Sequence, residues 1–123
     1  MLSFEQIGAM LDDIADELPE DFYRELNGGI NLLPDTKMHP ESKNNGDLYI
    51  LGEYHRESRG LGRYINIYYG SFAAVNGYRS VEQQKSELRR ILLHEFTHHM
   101  ESLAGERGLE IKDKIMLEKY KNN

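Results

Sequence analysis

The sequence His-Glu-Phe-Thr-His at residues 94–98 constrains this chain more than any other feature, because it lies in a strongly helical stretch. On an α-helix, residues i and i+4 are neighbours on one face, so the imidazoles of His94 and His98 can bind one metal ion. Glu95 follows the first histidine and can act as general base towards a zinc-activated water. The spacing therefore predicts a zinc site with Glu95 as its catalytic carboxylate.

The motif helix has two distinct faces. Its apolar side chains fall opposite His94 on a helical wheel: Leu88, Leu92, Leu93, Phe96, Met100 and Leu103. His98 and Glu101 fall on the same side as His94. This pattern predicts one stripe for the core and a separate His-His-Glu stripe for a cleft. The alternative is a solvated helix face that carries His and Glu by chance.

A zinc ion held by two histidines normally has a third protein ligand, and four acidic residues are candidates. These are Glu101, Glu106, Glu110 and Asp113. A turn at residues 105–108 and an antiparallel last helix place Asp113 opposite His98, in an apolar helix face where an unpaired carboxylate is costly. Asp113 is therefore favoured, although a hydrogen-bonded or ion-paired acid between helices fits the same pattern. Glu106 is the second choice, and Glu101 is alternatively a partner that orients His98.

Other polar residues are candidates for binding substrate. His55 ends a predicted strand close to a possible cleft, and the hydroxyl of Tyr68 can polarise a substrate carbonyl. Tyr64 and Tyr69 are equivalent to Tyr68 on sequence alone. The strand at residues 62–69 is also a candidate for pairing with an extended peptide. His99 falls towards the core side of the motif helix, which predicts a packed and hydrogen-bonded histidine.

The whole pattern predicts α/β organisation in one domain over residues 1–123. Ser3 and Gln6 form a capping box that predicts a first helix to about residue 17. Ser80 and Gln83 form a second box, which predicts the motif helix to about residue 103. Strands are predicted at residues 30–33, 47–54 and 62–69, a polar loop at 34–46, a short helix at 19–26, and a last helix at about 109–120.

Composition limits the classes of partner and the compartment. The formal net charge of −6 argues against a nucleic-acid partner, which needs a basic surface. The sequence has no apolar run long enough to cross a membrane, and its acidic, amphipathic start is unlike a signal or transit peptide. The absence of cysteine rules out disulfides and thiolate ligands and fits a reducing cytosol. We therefore expect a cytoplasmic protein, taken as a monomer, with no nucleic-acid or membrane partner.

Four segments, LPEDFYREL, LYILGEYHR, RYINIYYGSF and ELRRILLHEFTHHMESLAGE, follow one another in an order that resembles the small bacterial zincin-like metallopeptidases, or minimal zincins. The resemblance covers nearly the whole chain, and its most specific element is the doubled histidine in HExxHH. It implies a compact zincin-like α/β (α+β) fold, with a small mixed sheet packed against an N-terminal helix and the C-terminal motif helix, followed by a last helix. It also implies His94 and His98 as ligands and Glu95 as base. The usual family pattern has glycine and aspartate where Glu101 and Ala104 stand here.

Together these features predict a zinc-dependent metallopeptidase that hydrolyses peptide bonds with a zinc-activated water, Glu95 being the general base. The cleft of so small a domain must be shallow, which favours a peptide or a flexible protein segment as substrate. The alternative is a catalytically silent, metal-binding zincin scaffold that acts as a regulatory or partner-binding module, because similarity of fold does not establish turnover.

Overall fold

A computed structural model describes residues 1–41 and 48–107, and within these ranges the chain mixes helices with short strands. The predicted α/β (α+β) class is confirmed. The elements in chain order are α1 (Phe4–Glu17), a 3-10 helix (Glu20–Tyr23), β1 (Gly29–Leu33), β2 (Lys37–Met38), β3 (Tyr49–Ile50), β4 (Gly52–Arg56), β5 (Arg63–Tyr68), α2 (Tyr69–Asn76) and α3 (Val81–Arg107). The predicted last helix lies outside the described residues.

Capping boxes start α1 and α3 at the predicted positions. The backbone N–H of Ser3 donates to Gln6 Oε1 at 2.8 Å, and the N–H of Gln6 donates to Ser3 Oγ at 3.1 Å. Ser80 and Gln83 form the same reciprocal pair at 3.0 and 3.2 Å. Each box satisfies donors that the first turn of a helix leaves without a partner. The far end of α3 differs from the prediction, because Gly105 lies inside the helix and no turn begins there.

The main sheet has the strand order β1-β5-β4, so β5 is its central strand. β1 pairs with β5 in parallel, and β4 pairs with β5 antiparallel. The prediction that residues 62–69 pair with an extended peptide is wrong, because both edges of β5 already carry hydrogen-bonded neighbours. Within the part of the chain that the structure describes, β4 is the edge strand on the side of the sheet away from β1.

The strand predicted at residues 47–54 is two strands in two different sheets. β3 pairs with β2, β4 pairs with β5, and Leu51 lies between them with its carbonyl accepting from the N–H of Tyr68 at 3.0 Å. β2 falls in the segment predicted as a loop, because a two-residue strand carries no readable periodicity. The helix α2 had no predicted counterpart. It contains Gly70 and has no side-chain cap at its start, so the sequence carries no start signal there.

The core lies between the sheet, α1 and α3, and it fixes which face of α3 meets solvent. The whole predicted apolar stripe of α3 is buried, which confirms the two-faced helix. Phe96 is fully buried and packs against Phe22 and Tyr23, with ring centroids 5.7 and 5.3 Å apart. Opposite this stripe, α3 presents His94 and His98.

Candidate functional site

His94 and His98 lie one helical turn apart on α3, and both side chains are exposed. Their Nε2 atoms are 3.2 Å apart, and their rings are nearly perpendicular, with an interplanar angle of 89°. The structure therefore brings the two predicted metal ligands together. Two zinc–nitrogen bonds of about 2.05 Å at a tetrahedral angle would place their nitrogens about 3.3 Å apart, so the observed spacing fits one shared zinc ion.

Glu101 lies behind His98, away from the paired nitrogens. Its Oε1 atom is 3.5 Å from His98 Nδ1. A carboxylate on the second ring nitrogen of a histidine sets the orientation of the ring and makes the other nitrogen a better metal ligand. This placement corresponds to the orienting role proposed for Glu101 and not to that of a metal ligand.

His99 has a different environment from its neighbour His98. It is fully buried, with Nε2 2.8 Å from the carbonyl oxygen of Arg24 and Nδ1 2.9 Å from the hydroxyl of Tyr54. A carbonyl oxygen only accepts, so Nε2 carries the proton and Nδ1 accepts from the tyrosine O–H. Burial lowers the pKa of His99, which keeps the ring neutral. The predicted packed and hydrogen-bonded histidine is confirmed, and it links α3 to β4.

A pocket of about 720 Å³ lies between the edge strand β4 and α3. It is lined by Gly52, Glu53, Tyr54, Arg56, His94, Glu95, His98, Glu101 and Ser102. A second pocket, of about 260 Å³, shares Gly52, His94 and Glu95 with the first and adds residues 49–51, Arg90 and Ile91. The first volume is within the range of small-molecule sites. His94 and Glu95 therefore lie where a polar pocket meets a more apolar one.

Gly52 allows α3 to approach β4 closely at this junction. A Cβ atom on Gly52 would lie 3.1 Å from both Ile67 Cδ1 and Ile91 Cγ2, and 3.3 Å from the carbonyl oxygen of Asn66. We expect Gly52→Ala to lower the free energy of unfolding by about 1–3 kcal/mol, because an extra methyl in a filled space forces its neighbours apart. Urea denaturation followed by circular dichroism measures this change.

Gly8→Ala is the matched control for Gly52→Ala. Gly8 lies in α1, and the nearest atom to its added Cβ is Leu32 Cδ2 at 3.8 Å, an ordinary contact. Alanine there should raise stability by up to about 1 kcal/mol, since it is the better helix former. If Gly52→Ala lost no stability, α3 would be able to move away from β4 at little cost.

Glu95 is the buried acid of the pocket, with 5% of its surface exposed. Within the described residues its carboxylate makes no hydrogen bond or ion pair. Burial, and then the negative charge of Glu53, raise the pKa of Glu95 to about 7. A carboxyl group with such a pKa gains and loses a proton near neutral pH, as a general acid or base must.

Glu53, on β4, lines the same pocket as Glu95 and was missed by the sequence reasoning. Its Oε1 atom accepts from Lys37 Nζ at 2.6 Å and from the Tyr68 hydroxyl at 2.5 Å, and lies 3.3 Å from His55 Nε2. Desolvation raises the pKa of Glu53, but the hydrogen bonds from Lys37 and Tyr68 outweigh it and hold the pKa below its ordinary value. The sequence feature that could have identified Glu53 is the spacing Glu-x-His, which puts the side chains of Glu53 and His55 on one face of a strand.

His55 and Tyr68 support Glu53 and do not line the pocket. Tyr68 is 4% exposed, and its hydroxyl donates a hydrogen bond to Glu53. The ring of His55 stacks on Tyr64, with centroids 5.0 Å apart. The structure thus places both predicted substrate-binding residues behind the pocket wall.

The third metal ligand is not found in the described part of the chain. Residues 1–41 and 48–107 contain no group of three His, Cys, Asp or Glu side chains placed to hold a metal ion. The alternative ligand Glu106 lies in the last turn of α3 and not in a turn after it. The side chain of Glu106 lies outside the described residues. Asp113 and Glu110 lie outside the described residues.

No helix within residues 1–41 and 48–107 is long and apolar enough to cross a membrane. No protein-family model matches the sequence, and no curated protein matches it either. A solved structure of a conserved hypothetical protein from Thermus thermophilus is similar to this chain. The two are 35% identical with a TM-score of 0.70, and the match covers 85% of this chain and 99% of the other.

The prediction of a zinc-dependent metallopeptidase is wrong. The described residues lack the three-ligand metal group that this mechanism needs. The description of the similar structure names no activity, so it lends no support to peptide hydrolysis. The identity and coverage of the match do establish a relationship: this chain belongs to the family of the conserved hypothetical protein from Thermus thermophilus.

Proposed function

We propose that this protein is an enzyme that binds one divalent transition-metal ion, with zinc preferred, through His94 and His98 and transfers a proton through Glu95. The observation that carries the proposal is the 3.2 Å separation of the two Nε2 atoms on the exposed face of α3. Neutral imidazole nitrogens are common ligands of such ions. A bound divalent ion supplies Lewis-acid chemistry next to the pocket.

The residues around the histidine pair have separate roles in this proposal. Glu101 orients the ring of His98 through Nδ1, at 3.5 Å. Glu95 accepts or donates a proton at a group held in the pocket, because no hydrogen bond within the described residues competes for its carboxylate. Asp113 remains the proposed third ligand. We also propose a cytoplasmic location, which the cysteine-free sequence supports.

Competitive zinc titration against a chromogenic chelator tests the metal site. We expect one zinc ion per chain. Loss of an orienting partner alone typically weakens metal binding 10–100-fold, so His94→Ala, which removes a ligand, should weaken it by about 100-fold. His39→Ala should leave affinity unchanged, since His39 is exposed, lines neither pocket, and accepts from the backbone N–H of Glu41 through Nδ1 at 3.0 Å. Asp113→Asn should also weaken binding, because Asp113 is the proposed third ligand. Zinc affinity that is absent, or equal in wild type and His94→Ala, would refute the proposal.

A further inference from the structure

We infer that the pocket recognises a primary ammonium group attached to an apolar group, and that Glu53 and Glu95 bind the ammonium from opposite walls. The inference shares its pocket with the proposed function and deepens it by naming the class of ligand. It does not depend on a bound metal, because neither glutamate is one of the proposed metal ligands.

The first observation is the isolation of Glu95. It is the most buried acid of the pocket lining and has no hydrogen-bonding or ionic partner within the described residues. A buried carboxylate without a partner is costly. A cation entering from the pocket would remove this cost, and the carboxylate lines both pockets from which such a group can come.

The second observation is the way Glu53 is held. Lys37 and Tyr68 both donate to Oε1, and His55 Nε2 lies 3.3 Å from the same oxygen. Within the described contacts Oε2 therefore has no hydrogen bond, while the carboxylate is already fixed in place. A fixed acceptor binds an N–H donor without the entropic cost of ordering its own side chain. Hydrogen bonds between ionised partners are also about twice as strong as neutral ones.

The third observation concerns the apolar part of the ligand. The smaller pocket adds Tyr49, Ile50, Leu51 and Ile91 to the shared residues. Its volume of about 260 Å³ accommodates a group the size of a phenyl ring. Because the two pockets meet at Glu95, an ammonium between the glutamates can carry an apolar group that lies over these side chains.

Within the described residues, no cationic side chain makes a hydrogen bond or ion pair with Glu95 or with Oε2 of Glu53. Arg90, in the smaller pocket, is hydrogen bonded to Glu87 at 2.8 Å. Arg56 lines the larger pocket from the last position of β4. Lys37 contacts Oε1 of Glu53, which leaves Oε2 for a ligand. The carboxylate of Glu95 and Oε2 of Glu53 are therefore available to bind a cation from solution.

The probes are phenethylamine and its neutral analogue 2-phenylethanol, titrated into the full chain at pH 7.5 and followed by backbone amide NMR. Titrations are run with EDTA and then with zinc. We expect the amine to shift the amides of residues 52–54 and 94–95, and to bind at least about 10-fold more tightly than the alcohol, as a charge-assisted hydrogen bond predicts. Glu53→Gln should reduce amine binding by about 10-fold and leave alcohol binding unchanged.

Glu57→Gln is the matched control. Glu57 also accepts a tyrosine hydroxyl, from Tyr64 at 2.8 Å, and its substitution changes the net charge equally, but it does not line either pocket beside Glu95. It should bind the amine like wild type. If Glu53→Gln loses its folded spectrum, Glu95→Gln is the deciding variant and should show the same loss of amine binding.

Three results would overturn the inference: equal binding of amine and alcohol, wild-type amine binding in the deciding variant, or no shift at residues 52–54 and 94–95. Failure of the metal site is a separate result. If zinc does not bind but the amine does so in EDTA, the proposed metal site is wrong and the ligand class stands. If zinc binds and the amine does not, the proposed metal site stands and the ligand class is wrong.

Discussion

His99→Ala should lower the free energy of unfolding by about 3–5 kcal/mol and leave zinc affinity unchanged. His98→Ala should weaken zinc binding and change the free energy of unfolding little. His99 is fully buried and bonded on both ring nitrogens. Its removal leaves a cavity and deprives the Arg24 carbonyl and the Tyr54 hydroxyl of their partner. His98 is exposed, so its loss costs little stability but removes a proposed metal ligand.

Urea denaturation in EDTA measures the stability of both variants, and chelator competition measures their zinc affinity. The two substitutions are matched in residue type, helix and sequence position. The difference between the two variants therefore depends on which face of α3 the histidine occupies, and not on the general effect of losing a histidine. Similar losses of stability in both variants would contradict the division between a core histidine and a surface histidine.

Glu95 should make the metal-free protein less stable as the pH rises through the range from about 4.5 to about 7. Its ordinary pKa is 4.5, whereas burial and then the charge of Glu53 raise the pKa in the folded protein to about 7. In that range the folded state keeps the proton that the unfolded state has lost, so stability falls with pH and the loss is complete above the folded pKa. A shift of this size corresponds to about 3 kcal/mol.

Glu95→Gln removes this titration, so we expect its stability relative to wild type to increase by about 3 kcal/mol between pH 4.5 and pH 8. Denaturation in EDTA at several pH values gives the difference. The contribution of His99 is common to both proteins and cancels. Glu101→Gln makes the same charge change on the exposed side of α3 and serves as the comparison for net charge. A constant difference between Glu95→Gln and wild type would mean that water or a rearrangement solvates the carboxylate.

The sequence by itself determined the local features of the site. Helical spacing alone put His94 and His98 on one face of α3 and the apolar stripe, with His99, on the other. The capping boxes at Ser3 and Ser80 marked two helix starts. These features depend on residues within a few positions of one another, so their geometry follows from the helix and needs no distant partner.

Only the tertiary structure decided what surrounds the histidine pair. Glu53 and Glu95 are far apart in sequence and line one pocket because β4 is an edge strand against α3. This arrangement uses the break at Leu51 and the missing side chain of Gly52. The raised pKa of Glu95 depends on burial and then on the charge of Glu53. The failure of the peptidase prediction has the same origin. A motif of five residues specifies two ligands on one helix, but a third ligand must come from packing between distant segments, which no local spacing encodes.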